Sequence, residues 1–196
     1  MRTILGIGLV MCLSSVQAQN LVQNGQFDSD AAGWLLSMHS DWSNRIDFNN
    51  SETSGSLQIS TGSVDDAIQC IPLRGNTTYA LSIWAEKDPQ SSVAPCANPA
   101  HSISLDLFDG AQCGGTNLGF YRTTSQTDPN SWQNSAGTIA SPANTRSGLL
   151  TLTATCRSQS GVAIYYYDNI FVGPDAVFAS DFEVHAPESG PSQPGG

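Results

Sequence analysis

Tyr79-Ala80-Leu81-Ser82-Ile83-Trp84-Ala85-Glu86 alternates with a period of two, so that Tyr79, Leu81, Ile83 and Ala85 fall on one side of an extended chain and Ser82, Trp84 and Glu86 on the other. The same design returns in Ser102-Ile103-Ser104-Leu105-Asp106-Leu107-Phe108-Asp109, where Ile103, Leu105 and Leu107 oppose Ser104, Asp106 and Phe108. Leu150-Thr151-Leu152-Thr153-Ala154-Thr155-Cys156 separates its apolar residues from its hydroxyls in the same way. One dry face and one wet face per strand is the signature of an antiparallel sheet that covers a core on one side only. Further strands are predicted at Arg45 to Phe48, Ser56 to Ser60, Ala67 to Leu73, Leu118 to Thr123, Asn134 to Ile139 and Val162 to Val172. Turn residues stand between them at Asn49-Asn50, Arg74-Gly75-Asn76, Asp109-Gly110, Asp128-Pro129-Asn130 and Ser141-Pro142. Many short strands without a helical run predict an all-β fold, an antiparallel β-sandwich of jelly-roll type.

The flanks of this domain differ from it. Met1-Arg2-Thr3 precedes an apolar run from Ile4 to Leu13 and then Ser14-Ser15-Val16-Gln17-Ala18, the pattern of a secretory signal peptide over residues 1–18. A run of that length reaches about 15 Å as a helix, half of a bilayer core, and is too short to remain as an anchor. Residues 19–174 are read as the sandwich domain, in a secreted or periplasmic protein. Residues 175–196 are read as a C-terminal extension, partly disordered because its last part is rich in Pro and Gly and poor in large apolar side chains. Cys12 lies in the leader behind Met11, where a lipoprotein signal would carry Gly or Ala, and is not read as lipidated. The four remaining cysteines, Cys70, Cys96, Cys113 and Cys156, predict two disulfides in an exported chain, with three connectivities open. Their wide spacing argues against a zinc site. Cys96 and Cys113 bracket one loop and strand, so the expected pairs are Cys96 with Cys113 and Cys70 with Cys156.

Charge excludes some partners. The 196 residues hold 7 Lys+Arg against 17 Asp+Glu, a net charge of -10, and only 12% are charged. Polarity comes mostly from hydroxyl and amide side chains. So few cations cannot form the basic stripe that phosphate backbones require, and neither nucleic acid nor an anionic membrane surface is an expected partner.

The order of four landmarks resembles the carbohydrate-binding modules of the family 4/9/22 (CenC-like) type, which share the galactose-binding-domain-like β-sandwich. These are Asn20-Leu21-Val22-Gln23-Asn24-Gly25-Gln26-Phe27-Asp28 with Gly33-Trp34, then Gly55-Ser56-Leu57-Gln58-Ile59, then Gln69 to Ser82, and finally Tyr166-Tyr167-Asp168-Asn169-Ile170. The resemblance implies a structural Ca²⁺ where the first and last strands meet, with Asp28 and Asp168 as ligands and Asp30 as a weaker candidate. Six to eight oxygens are needed, so backbone carbonyls would supply the rest. It also implies that Trp34 is a core residue.

Sugar binding requires flat apolar ring faces beside a few hydrogen-bonding groups on a preformed surface. The wet faces offer Trp84, Glu86, Asp106 and Phe108. Trp42, beside Asp41 and Asn44, is placed on a loop rimming the same concave face, and Tyr121 with Tyr165 or Tyr167 contributes further rings. The expected function is an exported, non-catalytic module that binds a neutral carbohydrate. The alternative is a structural or protein-interaction sandwich of the cell surface or extracellular space without a glycan ligand. Catalysis has little support. There is no Gly-x-Ser-x-Gly elbow, no His-Glu-x-x-His pair and no phosphate loop, and His39, His101 and His185 stand alone. Only Glu86 and Asp106, placed on neighbouring strands, suggest a glycosidase dyad. Phe178-Ala179-Ser180-Asp181-Phe182-Glu183 resembles a short acidic motif of exported bacterial proteins and has no physical role assigned.

Overall fold

A computed structural model describes residues 19–61, 64–89, 100–125, 131–156 and 162–175. The signal peptide, most of the C-terminal extension, Cys96 and His185 lie outside the described residues. Ten strands are described: β1 (Leu35–Leu36), β2 (Ser40–Ser43), β3 (Ser56–Thr61), β4 (Val64–Pro72), β5 (Thr78–Lys87), β6 (Ala100–Phe108), β7 (Asn117–Ser125), β8 (Gln133–Ala140), β9 (Ser147–Thr155) and β10 (Ala163–Pro174). They form two five-stranded sheets, the first in the order β1-β4-β9-β6-β7 and the second β2-β3-β10-β5-β8. Every pairing is antiparallel. Among the described residues no helix is long and apolar enough to cross a membrane.

The dry sides of the alternating strands meet between the sheets. Leu81, Ile83 and Ala85 of β5, Ile103 and Leu105 of β6, and Leu150, Leu152 and Ala154 of β9 are fully buried there, joined by Leu57, Ile59, Tyr165, Tyr167 and Val172. Each buried Leu or Ile among them contributes about 2 kcal/mol by leaving water. Of the Tyr165-Tyr166-Tyr167 run, the outer two therefore face inward. Where β7 and β8 close the sandwich, Tyr121 reaches across to Gly137, at which any Cβ would overlap the phenol.

The two ends of the domain meet as the sequence landmarks imply. The side chain of Asn20 donates to Ile170 O at 2.8 Å and accepts from the N–H of Val22 and of Val172, each at 3.1 Å. Ile170 N–H donates to Gly25 O at 2.8 Å, and a Cβ at Gly25 would run into the Ile170 carbonyl, so glycine is required at this crossing. β10 is irregular here: its register with β5 shifts between Asp168 and Phe171, and Asn169 takes a positive φ of 48°. Trp34 is buried against Phe27, ring centroids 5.7 Å apart, as a core residue.

Two expectations are corrected. Arg45 to Phe48 is not a strand but part of the connection between β2 and β3. Cys113 is bonded to Cys70 rather than to Cys96, with a Cα–Cα distance of 5.9 Å, and the Cys70–Cys156 pair is thereby also excluded. The reason is topological. β9 runs between β4 and β6, and the loop after β6 lies across it, held by the Cys113 N–H on Ser147 Oγ at 2.9 Å and by Ser147 Oγ–H on Gly110 O at 2.6 Å. That carries Cys113 over β9 to Cys70 on β4. Cys156 is itself disulfide-bonded.

Candidate functional site

β5 and β6 are consecutive in sequence but belong to different sheets. Since Trp84 and Glu86 face outward from the second sheet and Asp106 and Phe108 outward from the first, the expected constellation is divided between opposite surfaces of the sandwich. The Glu86–Asp106 dyad is divided with it, and Asp106 instead accepts from Asn117 Nδ2 at 3.2 Å. Trp42 stands opposite the inward-facing Leu57, packs against the core, and donates its indole N–H to Phe27 O at 2.7 Å. Tyr121 packs at the core edge beside Gly137. Neither Trp42 nor Tyr121 rims the surface that carries Trp84.

Around Trp84 and Glu86 the structure builds a cleft. Cross-strand register sets Tyr166 of β10 between Gln58 of β3 and Glu86 of β5, and Asp168 beside Trp84. The connection from Asn44 to Gly55 folds back over this row. Its anchors are the Phe48 N–H on Asp168 Oδ2 at 3.1 Å, Ser56 Oγ–H on Ile46 O at 2.7 Å, and Arg45 on Asp88 Oδ2 at 3.3 Å. Asp47 stiffens the turn by accepting the N–H groups of Asn49 and Ser51 at 2.9 and 2.8 Å. Phe48 is thereby laid on Trp84, ring centroids 4.7 Å apart, with Trp132 edge-on to it at 5.7 Å. Between this connection and the sheet lies a cleft of about 760 Å³, whose walls include Arg45, Phe48, Glu52, Trp84, Glu86 and Trp132.

The floor is electrostatically tense. Asp88, fully buried, takes both the Arg45 guanidinium and the Tyr166 hydroxyl, the latter at 2.9 Å. Burial, followed by the hydrogen bond and charge of Asp88, pushes the Tyr166 phenol up to about 12, with Arg45 opposing. Desolvation first, and then the Asp88 charge, holds the Glu86 carboxyl above its usual range.

Asp168 sits nearby at 2% exposure. Its burial raises the carboxyl to about 7, although the Phe48 and Asn169 N–H groups pull it down; the charges of Asp47 and Asp28 add to the rise. Among the described residues no set of three His, Cys, Asp or Glu side chains is arranged around a metal position. The charge pattern nevertheless fits a cation: a buried carboxylate, with lone pairs beyond its two N–H partners, lies in the field of two others. Asp30 turns away from this role, accepting from Asn24 Nδ2 and from the Ala32 N–H.

Phe48, Trp132 and Arg45 escaped sequence reasoning as site residues. Arg45-Ile46-Asp47-Phe48 has the alternation of a strand, and Trp132 is a single ring in a polar stretch before β8. The one signal for Trp132 was an aromatic residue among Asn130, Ser131 and Gln133 with no apolar neighbours to pack on.

No protein-family model matches this chain, and no curated protein matches it. Solved structures with the same fold do. A family 16 carbohydrate-binding module ("Family 16 Carbohydrate Binding Module-2") superposes with a TM-score of 0.58 at 19% identity, covering 78% of this chain and 99% of its own. The CBM22-2 xylan-binding domain from Paenibacillus barcinonensis Xyn10C gives 0.52 at 18% identity, over 76% of this chain and 95% of its own. TmCBM61, solved in complex with beta-1,4-galactotriose, gives 0.52 at 12% identity, over 80% and 99%. The chain thus has the two-sheet β-sandwich fold found in carbohydrate-binding modules.

Proposed function

We propose that this protein is an exported, non-catalytic carbohydrate-binding module that holds a glycan in the cleft over the second sheet. The observation that carries this reading is the grouping of three half-buried rings, Phe48, Trp84 and Trp132, beside the carboxylate of Glu86 in one preformed cleft. Pyranose C–H faces pack on such rings, and amides, hydroxyls and carboxylates on the walls accept and donate to sugar hydroxyls. The fold shared with a xylan-binding domain and with a module bound to galactotriose supports the same reading. The acidic walls disfavour uronate-rich polymers, which call for Arg or Lys clamps. The apolar leader and a disulfide in the domain support export.

A Ca²⁺ ion between Asp28 and Asp168 belongs to this proposal as a structural element. It would offset the repulsion that the exposed Asp28 and the buried Asp47 exert on buried Asp168, and tie the first segment of the domain to β10 and to the connection that roofs the cleft.

A glycan array and an insoluble-polysaccharide pull-down, run with Ca²⁺ and with chelator, test both parts. Binding that Trp84→Ala and Trp132→Ala abolish in folded protein is the expected result. A folded, oxidised sample that retains no glycan in either condition refutes the glycan reading and points to a structural or protein-binding sandwich. A melting temperature indifferent to Ca²⁺ refutes the metal.

A further inference from the structure

The walls of the cleft carry more negative charge than their one arginine neutralises. Arg45 is engaged by Asp88, which also takes the Tyr166 hydroxyl. Asp47, Glu52 and Glu86 remain on the cleft walls. Asp47 is satisfied by two backbone N–H groups of its own turn, and Glu52 is exposed to solvent. Glu86 is different. It is 9% exposed, it lines the cavity, and its carboxylate meets no hydrogen-bond donor among the described residues. A carboxylate that opens into the cleft with no such donor, and lies in the field of the Asp88 charge, favours a cation as its partner. The rings add to the same preference, because the faces of Trp and Phe are the negative poles of their quadrupoles and attract cations. Trp84 contributes a further polar atom, an indole N–H that is buried and unpartnered.

We propose that the cleft takes a glycan bearing a protonated amine, an amino sugar whose ammonium group pairs with Glu86 while its pyranose ring lies on Trp84 and Trp132. This rests on the reading of the cleft as the glycan site and names the class of sugar it selects. The sequence leads to the expectation of a neutral carbohydrate; the local geometry departs from it and favours a cationic residue over an uncharged one. A hydroxyl at the same position would donate a neutral hydrogen bond and leave the excess charge uncompensated, whereas an ammonium group answers both the hydrogen-bonding and the charge.

Titration calorimetry on the full exported chain separates the possibilities, with three hexasaccharides as probes: β-1,4-linked glucosamine, its fully N-acetylated counterpart, and β-1,4-linked glucose. At about pH 6, where carboxylates and amines are both largely ionised, the glucosamine oligomer is expected to bind about tenfold tighter than either neutral one. The advantage should shrink as salt is added. Glu86→Gln should reduce the amino oligomer's advantage to within about twofold, read as the ratio of its affinity to the variant's own affinity for the neutral oligomers. Asp66→Asn, which removes an exposed carboxylate from the outer face of the other sheet, should leave it unchanged. If the neutral oligomers bind as well as the amino one, the cation preference is wrong and the glycan reading stands. If no oligomer binds to the folded protein, both fall. A preference that survives Glu86→Gln, or that disappears in Asp66→Asn, would reflect diffuse attraction to an acidic protein and would overturn the assignment to Glu86.

Discussion

His101 lies inside the sandwich at 1% exposure, its ring 5.7 Å from that of Tyr165 and 6.1 Å from that of Tyr167, with Nε2 3.4 Å from Ser135 Oγ. Desolvation lowers its pKa from 6.5 to about 4. The unfolded chain therefore takes up a proton below 6.5 that the folded protein refuses until about 4. The stability contributed by the neutral ring is complete above the unfolded value and is lost as pH falls through that window. The gap between the two values corresponds to about 3 kcal/mol in all, of which about 2 kcal/mol is lost by pH 5. Asp168 acts with the opposite sign. Its folded pKa of about 7 lies above the 3.8 of an unperturbed carboxyl, so its contribution is present at low pH and lost as pH rises through 7. The unfolding curve of the natural protein alone can look flat for that reason, and the informative quantity is a difference. Urea unfolding of the natural protein and of His101→Gln, each at about pH 7.5 and about pH 5 in chelator, isolates it: the natural protein should lose about 2 kcal/mol more than the variant between the two conditions. Equal losses in the two proteins, or an imidazole that titrates at its ordinary value in the folded state, would refute the reasoning.

The Cys70–Cys113 bridge closes a separation of 43 residues, which in the chain-entropy model is worth about 4 kcal/mol, so Cys70→Ser should melt well below the natural protein. Peptide mapping under non-reducing conditions checks the pairing directly, and a Cys96–Cys113 peptide would refute it. Gly137→Ala drives a methyl group into the Tyr121 phenol and should cost about 1–3 kcal/mol in chemical unfolding. The cost should largely vanish in a Tyr121→Ala background; an equal cost in both backgrounds would show that the overlap is not its cause.

Much of the fold was legible because each strand states its own two faces. The alternation in Tyr79 to Glu86, Ser102 to Phe108 and Leu150 to Thr155 marks the buried residues, and the structure buries Leu81, Ile83, Leu105 and Leu152 accordingly. Arg45 to Phe48 shows where the same signal misleads. A connection pinned across a sheet also alternates, with Phe48 on the cleft rings and Asp47 on its own turn, and only its hydrogen bonds distinguish it from a strand. Periodicity says which side of a strand is dry and nothing about which strand lies beside it.

That distinction separates the two levels of the site. Sequence alone determined the all-β architecture, the outward direction of Trp84 and Glu86, and the acidic character of the chain, while the burial of Trp34 was implied by the family resemblance. Tertiary structure decided which outward residues share a surface. Placing β5 and β6 in different sheets parts Glu86 from Asp106; running β9 between β4 and β6 brings Cys113 to Cys70; folding the connection after β2 over β10 delivers Phe48 and Arg45 to Trp84 and Asp88. Each of these is a long-range pairing, set by the sum of many weak contacts between segments distant in sequence, and no local pattern of side chains encodes it.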